Sequence, residues 1–276
     1  MTGTSTPQAT TKVTAAFRRA AAQRRAALVG YLPAGFPSVD AAIDAATAMV
    51  SAGVDVVEIG LPYSDTLMDG PVIQEAVHRA LEGGVRVTDV LRTVEAVAAT
   101  GAPVLVMTYW NPIDHYGVDS FAADLASAGG SGMITPDLPP EEAAGWLDAA
   151  KAHELDPVFL VAPSSPDDRI ALISSVCRGF VYAASVMGTT GARASVGQAA
   201  AGLVARVRQH TTLPVAVGLG VSTGAQAEQV AGFADGVIVG SAFVKRLLDA
   251  AEPAAGREAV SELATELAAG VRGARA

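Results

Sequence analysis

Residues 54–60 read "VDVVEIG" and residues 61–71 read "LPYSDTLMDGP". The first is a β-branched run of one strand's length, and the second is rich in turn formers. Its final Gly-Pro opens a helix-like stretch at 71–82, because proline is tolerated where a first helical turn has no partner for the missing N–H. Strand, loop and helix make one βα unit. The unit recurs outward in both directions, with strands expected at 26–32 ("AALVGYL"), 54–60, 103–109 ("PVLVMTY"), 131–135 ("SGMIT"), 157–161 ("PVFLV"), 179–184 ("GFVYAA"), 213–218 ("LPVAVG") and 235–240 ("DGVIVG"). Ala-rich amphipathic stretches lie between them, near 39–52, 71–82 with 88–99, 119–128, 140–153, 166–177, 198–210, 222–231 and 241–250. A last helix is expected near 256–271, and an extra one at 11–24 precedes the first strand.

Eight strands, each followed by helix, in 276 residues predict the α/β class and a single (β/α)8 TIM barrel with an extra N-terminal helix, since such barrels run to about 250 residues. The competing arrangement is a doubly wound sheet. No G-x-G-x-x-G follows the first strand, and no linker divides the chain. One catalytic domain is expected over 11–271, between disordered ends at 1–10 and 272–276.

Half of the residues are hydrophobic, enough for a large core. A net charge of −9, from 19 Lys+Arg against 28 Asp+Glu, argues against a nucleic-acid partner, which would need a broad positive surface. An anionic small substrate would need local donors instead. The single cysteine, Cys177, rules out an internal disulfide framework and reads as a core residue. No apolar run approaches the roughly 18 residues of a membrane span, and the N-terminus lacks a signal peptide's hydrophobic region. A soluble, cytoplasmic protein with no membrane partner is expected. His78, His115, His153 and His210 form no pair at metal-ligand spacing, so no metal is assigned.

In a barrel of this kind chemistry gathers where strands end and βα loops begin. Alternation along the second strand puts Val54, Val56 and Glu58 on one face and Asp55, Val57 and Ile59 on the other. Two valines make a poor surface, so Glu58 is expected to point into the barrel mouth. Apolar backing there would raise its pKa and suit it to acid–base work. The plainer reading is a carboxylate satisfied by a backbone N–H or an arginine. Asp69, just before Gly70-Pro71, is open between a chemical role and an N-cap. Asp65 could be an Asx-turn residue, hold the loop's shape or meet another protein.

The loops after strands 7 and 8 of such barrels often cradle phosphate on backbone N–H groups and a helix N-terminus. Here they read "GLGVS" (218–222) and "GSAFVK" (240–245), which makes Gly220, Gly240 and Ser241 candidates. "GTTGAR" (188–193) could supply a third arm. Lys245 and Arg193 lie nearby, although a solvated surface role suits each at least as well.

From about residue 12 to 270 the chain resembles the tryptophan synthase α-subunit family, with its actinobacterial members most alike. The resemblance is carried by "YLPAGFP", "EIGLPYSD", "MDGPVIQ", "VLVMTYWNPI", "PDLPPEE", "YAAS", "VGLGVS" and "VGSAFVK", in that order. It implies a carbon–carbon lyase that splits indole-3-glycerol phosphate by retro-aldol cleavage into indole and glyceraldehyde 3-phosphate. The indole would pass to a β subunit in an α2β2 complex that makes tryptophan. Pyridoxal phosphate is then expected in the β subunit, and no cofactor in this chain.

Matched motif by motif, the resemblance implies Glu58 as the acid/base at indole C3 and Asp69 as the acceptor of the indole N–H. Tyr182 would touch substrate, and Thr190 would order Asp69. Gly191, Gly220, Gly240 and Ser241 would hold the phosphate. Tyr31, Ile73, Met107 and Tyr109 would wall the indole, and Asp65 and Thr66 would serve the loop and the interface. Two positions depart from the family pattern: Thr66 and Thr189 stand where proline and valine are usual. Losing proline's restraint should loosen the Asp65 loop. Two other readings follow, a weakly active or inactive duplicate that binds and activates a β subunit, and a stand-alone lyase.

Overall fold

A computed structural model describes residues 11–185, 193–218 and 220–274, with backbone alone at 193–196. Eight parallel strands close into a barrel in chain order: β1 Ala27–Pro33, β2 Val56–Gly60, β3 Val104–Met107, β4 Gly132–Thr135, β5 Asp156–Val161, β6 Val181–Ala184, β7 Val215–Gly218 and β8 Gly236–Val239. Each strand pairs with the next and β8 returns to β1, leaving no edge to protect. The single TIM barrel predicted from the βα repeat is the observed architecture.

Alternation sorts the strand residues into two layers. Val29, Val56, Leu105, Ile134, Val158, Phe180, Ala216 and Ile238 fill the barrel's interior. Leu28, Val57, Ile59, Val106 and Val217 point outward into a second core beneath the helices. The extra N-terminal helix, α1 (Lys12–Ala22), is held at its start by Thr11, whose hydroxyl accepts the Thr14 N–H. It sends Val13, Ala16, Phe17 and Ala20 into the interior layer and so plugs the barrel's N-terminal end. Phe17 packs on Phe180 at a ring-centroid separation of 5.2 Å.

The outer ring comprises α2 (Val39–Ser51), α3 (Pro71–Glu82), α4 (Val87–Ala98), α5 (Trp110–Tyr116), α6 (Val118–Ser127), α7 (Ala144–Ala152), α8 (Asp167–Val176), α9 (Arg193–Val207), α10 (Gly224–Ala231), α11 (Ser241–Asp249) and α12 (Pro253–Gly273). None of the described helices is long and apolar enough to cross a membrane. Cys177 is buried immediately after α8.

Several boundaries differ from the sequence expectation. α5 was not expected; it forms because the Asp137 carboxylate accepts the Trp110 N–H with both oxygens, at 2.9 and 3.1 Å, from the next βα loop. The stretch at 140–142 is a 3-10 turn, and α7 starts only at Ala144. α12 continues through Arg272 to Gly273, two residues into the tail expected to be disordered. Residues 1–10 and 275–276 lie outside the described residues. Val54 precedes β2 and joins the outer core, so the inward face of this strand holds Val56 and Glu58 without it.

Candidate active site

A cavity of about 440 Å³ opens at the C-terminal end of the barrel. It continues the interior layer: Tyr31 follows Val29, Glu58 follows Val56, Met107 follows Leu105, Leu160 follows Val158, Tyr182 follows Phe180 and Gly218 follows Ala216, each two residues on. The plugged lower half of the barrel supplies the floor, and strand parity delivers these side chains onto it.

Glu58 sits at the bottom of this cavity with 1% of its surface exposed. Its Oε1 has no hydrogen-bond partner among the described residues, so the satisfied carboxylate considered above is not what β2 presents. Burial without a countercharge raises its pKa from 4.5 to about 8. Glu58 is therefore largely protonated at neutral pH. A buried acid with an uncommitted oxygen facing an open cavity can give up a proton there and take one back.

Tyr31 and Tyr182 stand on either side. Both phenols are pushed upward, chiefly by burial and further by nearby anionic groups including Glu58. Each ring occupies space that a glycine leaves open. A Cβ at Gly60 would come within 2.3 Å of the Tyr31 hydroxyl, and one at Gly218 within 2.5 Å of the Tyr182 hydroxyl.

Asp69 reaches the same cavity from the β2–α3 loop. It does not cap α3: the N-cap is Gly70, which provides no side-chain hydrogen bond. The carboxylate turns instead toward β3, where Oδ2 accepts the Tyr109 hydroxyl at 3.2 Å. Burial raises its pKa, and the bond from Tyr109 works in the other direction. The Tyr109 phenol is raised to about 12, mainly by burial. Tyr109 also packs on Tyr63, with ring centroids 5.7 Å apart. Together Tyr63, Met107, Ile73 and Leu160 make an apolar slot between the two carboxylates.

At the far side Gly220, Gly240 and Ser241 line the same cavity. Gly220 has φ of +66°, a left-handed backbone that suits glycine. Gly240 is the N-cap of α11, so this helix opens toward the cavity at Ser241 and offers the free N–H groups and positive dipole end of a first turn. Lys245 points away, paired with Asp249 at 2.9 Å.

Ten of the expected site residues thus share one cavity: Glu58, Asp69, Tyr182, Tyr31, Ile73, Met107, Tyr109, Gly220, Gly240 and Ser241. Asp65 is exposed, and neither it nor Thr66 lines the cavity. The Thr66 carbonyl accepts both the Asp69 N–H at 3.0 Å and the Gln74 side-chain amide at 3.1 Å. Thr190, Gly191 and Thr189 lie outside the described residues, as does the side chain of Arg193. Sequence reasoning missed Leu160, Ile238 and Gly218, which strand parity would have found, and Tyr63 and Ser185, for which no local pattern exists. His115 lines a neighbouring surface groove with Leu61, Tyr63, Arg86 and Asn111.

Known proteins resemble this chain along nearly its whole length. The family model described as "Tryptophan synthase alpha chain" matches residues 17–272. The chain is 64% identical over 255 residues to the tryptophan synthase alpha chain of Streptomyces avermitilis, covering 92% of each. It is 62% identical over 261 residues to that of Salinispora tropica, covering 95% of this chain and 98% of the relative. Among solved structures, tryptophan synthase from M. tuberculosis in its aminoacrylate-bound form superposes with a TM-score of 0.87 at 51% identity, covering 95% of this chain and 99% of the other.

Proposed function

This chain belongs to the tryptophan synthase alpha-chain family, and on that premise we propose which of its residues carry out the family's reaction, the cleavage of indole-3-glycerol phosphate to indole and glyceraldehyde 3-phosphate. The enzyme is a carbon–carbon lyase of tryptophan biosynthesis and works with a β subunit.

The indole ring occupies the apolar slot between Glu58 and Asp69, and the phosphate sits at Gly220, Gly240 and Ser241. The bond to be broken joins indole C3 to a carbon that bears a hydroxyl. It cannot break while the ring is aromatic, because its electrons have nowhere to go. Protonated Glu58 delivers its proton to C3, which makes that carbon tetrahedral and leaves positive charge at the ring nitrogen. Asp69 accepts the indole N–H and offsets that charge. Glu58, now a carboxylate, takes the proton of the glycerol hydroxyl as the carbonyl of glyceraldehyde 3-phosphate forms. The C–C electrons return to the ring and release indole. Glu58 gives one proton and recovers one, so the cycle closes without a net proton transfer to solvent.

The observation that carries this reading is the buried, uncommitted carboxyl of Glu58, with a pKa of about 8, facing Asp69 across an apolar slot. The lyase domain is assigned to 11–271 and to the cytoplasm, with Thr190 and Gly191 completing the site. Pyridoxal phosphate is assigned to the β subunit, since side chains of this chain account for every proton in the cleavage. Asp65 and Thr66, on the rim, serve the loop and the β-subunit contact, giving an α2β2 assembly.

The test is indole release from indole-3-glycerol phosphate by the purified chain, alone and with a stoichiometric β subunit and serine. Slow release that rises at least tenfold with the partner is expected. Stable activation of the β subunit with no indole release would overturn the lyase assignment. Fast release unchanged by the partner would overturn the coupled one.

A further inference from the structure

The Tyr109 hydroxyl makes two contacts with the β2–α3 loop. The Met68 backbone N–H points at its oxygen at 3.0 Å, and an amide N–H can only donate. The phenol keeps its single proton for Asp69 Oδ2, 3.2 Å away. In that contact Asp69 accepts through Oδ2, as its carboxylate form does. Tyr109 is the last residue before α5 and closes the β3 end of the cavity. Met68 and Asp69 belong to the β2–α3 loop, whose Leu67 and Met68 are exposed. The N-cap residue of α5 thus contacts two adjacent positions of the β2–α3 loop, one of them a carboxylate.

We propose that Tyr109 is a positioning residue for the cleavage reaction: its hydroxyl fixes Asp69 in the accepting form and leaves Oδ1 free for the substrate N–H. This deepens the reading above, because it rests on Asp69 receiving the indole N–H. It gives Tyr109 a task beyond lining the slot, and that task belongs to the hydroxyl rather than to the ring. The groups around Asp69 make the contribution measurable. Burial favours the protonated carboxyl and the Tyr109 bond opposes it. No Lys or Arg lines the cavity among the described residues. An acidic form of Asp69 would present a donor where the substrate also presents a donor.

The experiment compares wild type with Tyr109→Phe, which keeps the ring and its contact with Tyr63. The Asp69 side-chain carbon is titrated by 13C NMR, and the pH dependence of kcat/KM is recorded. The variant should move the Asp69 titration and the acid limb of kcat/KM to higher pH together. It should also lower kcat/KM about 10- to 100-fold, as expected for a lost hydrogen bond to a charged group. A lower kcat/KM with both titrations unmoved would reduce Tyr109 to pocket wall and overturn the proposal. If Tyr109→Phe fails to fold, 3-fluorotyrosine at position 109 supplies the opposite test. Its phenol is more acidic and donates more strongly, so Asp69 should titrate lower than in wild type, and an unmoved titration overturns the proposal. The NMR readout needs no turnover. If wild type releases no indole, the lyase reading falls while the titration still decides whether Tyr109 sets the state of Asp69.

Discussion

Two carboxylates mark β2, Asp55 just before the strand and Glu58 within it, and they have opposite surroundings. Asp55, at the lower end, accepts both guanidinium nitrogens of Arg25 at 2.6 and 2.7 Å and the Leu28 N–H at 2.9 Å. Glu58, at the upper end, faces an open cavity with one oxygen unpartnered among the described residues. At the start of β5, Asp156 has an arginine nearby but not the hydrogen bonds of Asp55: both its oxygens lack a hydrogen-bond partner among the described residues. It is fully buried beneath α1, yet burial lifts its pKa only to about 6, because Thr11 and Arg178, the latter 3.6 Å away, pull it back. Burial is therefore common to both ends and decides nothing by itself. The lower carboxylates each have an arginine beside them. Glu58 has space and, among the described residues, no cation lining it, an arrangement that costs stability and suits a group whose work is to exchange a proton.

The contrast breaks most readily at Glu58. Glu58→Gln keeps the volume and removes the proton, so kcat for indole release should fall by about 10² to 10⁴ with the circular-dichroism spectrum unchanged. Near-normal turnover would make Glu58 equivalent to the lower carboxylates. Arg25→Ala should do the reverse. Stranding Asp55 should cost about 3 kcal/mol in urea unfolding, with kcat held within about twofold, since the pair lies at the far end of the barrel.

The pH dependence of stability sharpens the comparison. Glu58 holds its proton in the folded state up to about pH 8 but loses it near 4.5 when unfolded. Its contribution is thus fully present below 4.5 and is lost as pH rises toward 8; for Asp156 the corresponding window is 3.8 to about 6. Glu58→Gln removes the first of these, so its stability advantage over wild type should grow by about 3 kcal/mol between pH 6 and pH 9. A constant difference would mean that Glu58 titrates normally. The smallest effect is expected at the phosphate end. Gly220→Ala forces a side chain into a left-handed backbone at a cost of about 1 kcal/mol and should raise KM several-fold with kcat little changed.

Much of this was legible in the sequence, because strand parity is local. The period-two pattern in "VVEIG" put Glu58 in the barrel mouth, and eight such runs fixed the architecture. The same pattern overreached at Val54, since nothing local marks β2 as starting at Val56. Asp69 was left between an N-cap and chemistry because both readings fit "MDGP"; the choice comes from Tyr109, forty residues away in the chain. α5 was missed for the same reason, its cap being supplied by Asp137 from another loop. Contacts made by the closed barrel between distant loops leave no periodic trace, and those contacts orient the polar groups of the site.

The most direct test of the account is a 13C titration of the Glu58 side-chain carboxyl in the folded, substrate-free protein. The surroundings of Glu58 predict a midpoint near pH 8, above that of Asp156 at about 6. A midpoint near 4.5 would mean that Glu58 is solvated or paired like the carboxylates at the other end, and the assignment of the acid would fail.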